Sequence, residues 1–310
     1  MNFSHTPVLL NECIEGLNIK PSGVYVDCTL GGAGHSKKIC EELDGNGALI
    51  GIDQDEDAIS TASKNLEGVK NRLYVVKDNY SHIEEILNGL NFGTVDGFLL
   101  DIGVSSYQLD SAERGFSYMK DAPLDMRMDK GNDLTATKVV NEYSEQKLFE
   151  IIKHYGEERY AGRIANLIVN EREKGRVETT LQLVDIIDRA IPSKKGSKGH
   201  PAKRTFQAIR IEVNGELEVL QNSIEKMVDR LNIGGRLCII TFHSLEDRIV
   251  KHIFKSLENP CICPPKLPIC GCGREKKAKI ITNKPIISND EEIRKNKRAT
   301  SAKLRIVEKI

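Results

Sequence analysis

The chain has no tryptophan, and its 310 residues include only eight tyrosines and eight phenylalanines. A protein that handled nucleobases by stacking would have few side chains to do it with, and Tyr107, Phe116 and Tyr118 are the candidate faces. Net charge is also absent: 45 Lys and Arg offset 45 Asp and Glu, so any nucleic-acid contact must rest on local patches. There is no apolar run long enough to span a bilayer. The opening MNFSHTPVLLNE lacks the charged and apolar regions of a secretory signal, so a cytoplasmic protein with no membrane partner is expected. Internal repeats are missing too.

The eight cysteines contain no C-x-x-C pair, the usual spacing of a zinc finger. Cys13, Cys28, Cys40 and Cys238 lie singly among apolar neighbours and read as small buried hydrophobes in a reducing compartment. Cys261, Cys263, Cys270 and Cys272 form two C-x-C pairs with prolines between. Either they hold a structural zinc or they belong to a packed or redox-labile loop.

What is present is most informative at residues 24–36, VYVDCTLGGAGHS, and 47–57, GALIGIDQDED. Each begins as a strand suited to burial on both faces and ends in an acid. Between them Gly31, Gly32 and Gly34 let backbone N–H groups approach a ligand, and the following helix aims its N-terminus at the same crevice. Asp53 falls at the carboxyl end of the second strand, where open α/β sheets bind ligands and a carboxylate can accept from both ribose hydroxyls. A dinucleotide fingerprint would need a third small residue where Lys37 stands, and Asp27 beside the turn would repel a pyrophosphate. The same acid would attract the ammonium and sulfonium of S-adenosylmethionine. That reading favours a methyl donor over NAD, with a dehydrogenase as the competing enzyme class and a non-catalytic RNA-binding protein on the same scaffold as the other alternative.

Further strands are expected at Leu73–Val76 and Gly97–Asp101. Asp78 and Tyr80 after the first of these could meet an adenine amino group and ring, or Asn79 and Ser81 could merely cap the next helix. Asp101 is the third acid at a strand tip. From about Gln108 to Arg204 the strand-helix alternation stops and helical segments follow one another, which reads as an inserted helical domain. It closes on the basic stretch PSKKGSKGHPAKR. Alternation then resumes with one long helix or two from Phe206 to Leu231, a strand from Arg236 to Phe242, a helix from Leu245 to Leu257, and final strands near Ala278–Ile281 and Ala302–Glu308.

Laid out this way, the chain resembles the bacterial small-subunit ribosomal RNA methyltransferase H family, also called MraW or RsmH. The match is carried by HTPVLLNE from His5, DCTLGGAGHS from Asp27, DIGVSSYQLD from Asp101, RGFSY from Arg114, PLDMRMD from Pro123, FQAIRIEVNGEL from Phe206, TFHSLEDR from Thr241 and SAKLR from Ser301. Thr241, where many members have Ser, and NKRATSAKLR near the end depart from the commoner pattern. The resemblance implies a class I S-adenosylmethionine-dependent methyltransferase: an α/β, Rossmann-like, mostly parallel sheet formed by residues 1–107 and 205–310, with 108–204 as a helical insertion that recognises RNA. It implies methylation of the exocyclic N4 of a cytidine in 16S ribosomal RNA, with another RNA amino group as the alternative acceptor, and the sequence leaves open whether that RNA is free or within the small ribosomal subunit. It implies donor contacts at Ala33, Gly34, His35, Asp53, Tyr80, Asp101 and Gln108, the last from the resemblance alone.

The amino nitrogen of cytosine is a poor nucleophile, so acceptors must bind its hydrogens and take up developing positive charge in line with the sulfonium methyl. Asp101 is the candidate catalytic residue, with the Ser105–Ser106 turn lining the site. Asp125, Arg127 and Asp129 close over the base, position the RNA backbone or form a salt-bridged turn, and His243 either touches the base or caps the next helix through Ser244. RNA backbone contacts are expected from Lys194, Lys195, Lys198, Lys203 and Arg204, and from Arg294, Lys295, Lys297 and Arg298.

Overall fold

The computed structural model describes residues 7–192, 199–264 and 271–310. The chain forms two compact units, Met1–Gly103 with Leu217–Ile310, and Val104–Glu216.

The first unit is built on one sheet. Its strands β1 (Val24–Asp27), β2 (Ala48–Asp53), β3 (Arg72–Lys77), β4 (Val95–Asp101) and β5 (Leu231–Thr241) pair in parallel in the order β3-β2-β1-β4-β5. The chain thus works outward from β1 to β3 and returns to the other side of β1 as β4. That reversal opens a crevice at the carboxyl ends of β1 and β4. Beyond β5 the sheet turns antiparallel: β8 (Lys303–Lys309) lies between β5 and the short β6 (Ala278–Ile280), and β7 (Ile286–Ile287) also pairs with β8.

Side-chain alternation along the strands feeds two cores. Val26, Ile50, Phe98, Leu100 and Ile239 face one way, covered by α11 (Glu216–Asp229) through Leu220 and Ile224, and by α12 (Ser244–Glu258) through Val250 and Phe254. Tyr25, Leu49, Leu99 and Ile240 face the other, against α1 (Leu10–Leu17) and α2 (Gly34–Glu42) through Cys13, Leu17 and Ile39. The close fit of Tyr25 depends on Gly97 in β4, where an added Cβ would stand 2.8 Å from the ring. The remaining helices of this unit are α3 (Glu56–Asn65) and α4 (Ile83–Gly89), which follow β2 and β3, and α13 (Asp290–Lys295) before β8.

The second unit is helical: α5 (Ser106–Asp110), α6 (Ala136–Glu142), α7 (Glu145–His154), α8 (Ala161–Arg172), α9 (Thr180–Ala190) and α10 (Ala202–Asn214). Its core joins Val139, Leu148, Ile152, Ile164, Ile168, Leu183 and Ile187 with Phe206 and Ile209 of α10. Because α10 contributes to this core, the unit extends to Glu216 rather than ending near residue 204. Of the one or two helices expected from Phe206 to Leu231 there are two, separated at Gly215, whose φ of +60° stops α10. Among the described residues no helix is long and apolar enough to cross a membrane.

Candidate active site

The carboxyl ends of β1, β2 and β4 deliver Asp27, Asp53 and Asp101 to one rim. Their roles differ because their hydrogen bonds differ.

Asp27 is nearly inaccessible, accepting from the Ser36 hydroxyl at 2.7 Å and the Thr29 amide at 3.2 Å. Burial raises its pKa, against opposing effects of His35 and these hydrogen bonds. It therefore ties α2 to the glycine turn, and acts on a ligand only through its field.

Asp53 clamps the turn from the next strand. One carboxylate oxygen accepts from the Gly31 amide at 2.9 Å and the other from the Asp55 amide at 2.9 Å. Each oxygen keeps a second lone pair, as two ribose hydroxyls would require. Burial pushes the Asp53 carboxyl up to about 6 despite those two donors.

The turn itself is conformationally demanding. Gly31 has φ +50°, and Ala33, a buried residue with a side chain, is held in the left-handed region at φ +62° immediately before α2. Such a conformation in a non-glycine residue costs on the order of 1 kcal/mol. Gly34 backs onto Pro7 so closely that no Cβ would fit, whereas Gly32 faces open space.

His35, the next residue, is buried and donates from Nε2 to the Val8 carbonyl at 3.0 Å. Its Nδ1 therefore faces Asp101, 3.8 Å from Oδ2. The Asp101 amide donates to the Thr29 hydroxyl at 2.7 Å, which joins β4 to the turn. Burial lifts the Asp101 carboxyl to about 6, His35 pulls it down, and Asp27 and Glu246 push it up. Its Oδ1 is buried and has no hydrogen-bond partner. A buried acceptor left unpaired is costly, and a cationic or amino donor would satisfy it. The exit from β4 is made by Gly103 at φ +134°, against the ring of Phe242.

At the tip of β3, Asp78 accepts from the Asn79 amide at 2.7 Å and contacts His82 Nδ1 at 2.8 Å. Asn79 caps the short 3-10 turn Tyr80–His82 by accepting from the Ser81 amide. Tyr80 packs, half-buried, at the edge of the core. His243 is itself the N-cap of α12, in a reciprocal box with Glu246, whose Oε2 accepts from the amides of Phe242 and His243 at 2.7 and 3.1 Å.

In the helical unit, Gln108 is buried on α5 and its side-chain oxygen accepts from the Ser105 amide at 3.0 Å. Asp125 and Arg127 form a two-pronged ion pair, at 2.9 Å to Nε and 2.8 Å to a terminal nitrogen. Arg127 also donates to the carbonyls of Lys130 and Asn132. Asp125 and Arg127 thus form a salt-bridged turn. Burial raises the Asp125 carboxyl, but the hydrogen bonds from Arg127 outweigh it and leave the group below its ordinary value. Phe116 is 6% exposed within the core, so it offers no stacking face; Tyr118 stacks on His200 at 4.7 Å. The Tyr107 side chain, Lys194, Lys195, Lys198 and Cys270 lie outside the described residues. Lys203, Arg294 and Lys297 are exposed, and Cys261, Cys263 and Cys272 converge, with sulfurs within 4.8 Å of one another.

The sheet order, the glycine turn and the acidic rim define an S-adenosylmethionine-dependent methyltransferase of class I. The chain belongs to the MraW methylase family, whose model matches residues 2–310. It is 57% identical over 311 residues to the ribosomal RNA small subunit methyltransferase H of Lachnospira eligens, covering 100% of this chain and 99% of that one. It is 58% identical over 310 residues to the protein of the same name from Clostridium botulinum (strain Kyoto / Type A2), covering 100% of both. Among solved structures, an rRNA methylase from Streptococcus thermophilus is similar at a TM-score of 0.42 and 11% identity, covering 97% of this chain and 93% of that one.

Proposed function

We propose that the chain transfers a methyl group from S-adenosylmethionine to the exocyclic N4 of a cytidine in 16S ribosomal RNA, on the small ribosomal subunit in the cytoplasm. The observation that carries this reading is the buried, unpartnered Oδ1 of Asp101 at the tip of β4. In the proposal Asp53 accepts from the donor's ribose hydroxyls, and Ala33, Gly34 and His35 lie along the donor. Tyr80 offers a ring to its adenine.

Asp101 holds the amino hydrogens of the target base, drawing the nitrogen lone pair out of conjugation and toward the methyl carbon. The new N–C bond forms as the C–S bond breaks. S-adenosylhomocysteine is the second product, and one amino proton passes from the nitrogen to the Asp101 carboxylate. The target base must be out of its stack to reach this rim. The helical unit Val104–Glu216 is the RNA-recognition part of the proposal.

The names of the relatives, together with the family's methylase activity, support ribosomal RNA as the acceptor. Incubation of the protein with labelled donor and small subunits lacking the modification, followed by mass mapping, tests it. Label on a single cytidine N4 is the expected result. Label on another atom would move the acceptor assignment, and absence of label with intact donor binding would remove the catalytic reading.

A further inference from the structure

The methyl-transfer reading leaves one cluster of reactive side chains without a role. The 19-residue connection from the end of α12 to β6, residues 259–277, carries Cys261, Cys263 and Cys272. From this stretch we infer that the chain binds one structural zinc ion through the thiolates of Cys261, Cys263 and Cys272.

The first ground is geometric. The three sulfurs lie within 4.8 Å of one another, although Cys272 is well separated from the other two along the chain. A tetrahedral zinc with bonds of about 2.3 Å sets neighbouring sulfurs about 3.8 Å apart, so small side-chain adjustments bring all three sulfurs to bonding distance and leave the fourth corner of the tetrahedron for one further donor.

The second ground is that ordinary packing does not gather these thiols. No described residue from Asn259 to Lys277 is buried, and Ile262, between the first two cysteines, is 66% exposed. The described residues of the connection include no helix or strand. A connection of this length in a compact domain is uncommon unless it is functional or fastened.

The third ground is contrast with the other thiols. Cys13, Cys28, Cys40 and Cys238 are all buried among apolar side chains. Burial raises Cys13 and Cys28 well above the ordinary thiol value, Cys40 to about 11 and Cys238 to about 12. These four are sealed from solvent, so among the described cysteines the exposed cluster is the one that a zinc ion can reach. Bound there, the ion fastens the connection that leads into β6, the three-residue strand at the end of the sheet.

The test uses the full chain, purified without metal-affinity steps or chelators. Elemental analysis is expected to give about one zinc per chain, and the double variant Cys263→Ser, Cys272→Ser less than a tenth of that. Cobalt exchanged into the wild type should show thiolate-to-metal charge transfer that the variant lacks. If the variant is poorly soluble, thiol mapping of the wild type decides: the three cysteines should resist alkylation until a chelator is added, while the buried four stay unreactive in both conditions. The assignment is overturned if the wild type takes up no zinc on titration. It is equally overturned if zinc content is unchanged in the variant, or if intact mass shows two of the three joined as a disulfide. None of these readouts depends on methyl transfer.

Discussion

Nδ1 of His35 stands 3.8 Å from Oδ2 of Asp101, with the imidazole fixed by its bond to the Val8 carbonyl. One carboxylate oxygen of Asp101 therefore looks toward the glycine turn and the other, Oδ1, has no partner. The Thr29 hydroxyl, accepting from the Asp101 amide, fixes the backbone at the tip of β4, and Oδ1 is left as an acceptor for the reacting groups. Exchange of Asp101 for Asn keeps the shape and removes the charge. Turnover should fall by a factor of about 10² to 10³, the usual cost of removing one well-placed electrostatic interaction. The same change relieves a buried charge, so thermal unfolding should occur at an equal or higher temperature. A variant in which stability and activity fell together would show Asp101 to be structural.

The raised carboxyls set a pH dependence. Asp53 and Asp101 both ionise near about 6, burial being the main cause. Donor binding needs the ionised forms, so affinity should be flat above about pH 7 and decline as pH falls through about 6. The stability effect has the opposite sign. An acid whose pKa is raised by folding weakens the fold when ionised. The penalty is absent below the unfolded value, sets in as pH rises from about 4 to 6, and is on the order of 1–3 kcal/mol per group. Calorimetric titration of the donor across pH 5 to 8 checks the first effect. Comparison of wild-type and Asp53→Asn unfolding over pH 4 to 8 checks the second, since the share of the penalty due to Asp53 should disappear in the variant while that of Asp101 remains.

Ala33 supplies a backbone test. Its φ of +62° is tolerated by alanine, but a β-branched side chain there is a steric outlier. Ala33→Val should destabilise the first unit by about 2 kcal/mol and weaken donor binding, because the turn between Gly31 and α2 must reshape. Ala33→Gly should bind the donor normally. Thermal denaturation and donor titration of the two variants separate local shape from side-chain chemistry.

The strand tips were legible because parallel strands buried on both faces read as continuous apolar runs, and ALIGID and VDGFLLD end in acids. What the pattern hid depended on contacts across long sequence separations. Asp27 looked like a ligand-facing acid, yet Ser36 and Thr29 occupy its oxygens. Phe116 looked available for stacking, and the helical core contains it. The antiparallel β8 between β5 and β6 is long-range pairing that no local periodicity announces. Ala33 in the left-handed region carries no sequence signal, since alanine ordinarily marks a right-handed helix.

The ion pair of Asp125 and Arg127 should behave as structure. Arg127 uses both prongs on Asp125 and donates to two backbone carbonyls, so it braces the turn that precedes α6. Asp125→Asn removes the charge partner of a half-buried guanidinium and should cost about 1–3 kcal/mol. Donor affinity should be unchanged. A stable Asp125→Asn variant without RNA methylation would instead return this acid to the reaction.

Electrostatic grip on RNA is the remaining quantity that balanced composition conceals. Lys203, Arg294 and Lys297 are exposed, and the ion pairs described for their neighbours do not include them: Lys295 pairs with Glu291 at 2.7 Å, and Arg204 approaches Glu158 at 3.8 Å. Changing Lys203, Arg294 and Lys297 to Gln removes three surface cations without disturbing the fold. If each meets a phosphate, the slope of log affinity against log salt should become shallower by roughly 0.7 to 0.9 for every phosphate no longer neutralised. Donor affinity should not move, because the three side chains are exposed and the hydrogen bonds described for the turn and the rim acids do not involve them. Binding of the variant to small subunits, measured at several salt concentrations beside the wild type, gives the slope directly. An unchanged slope would mean that these cations serve solubility and that the RNA is gripped elsewhere.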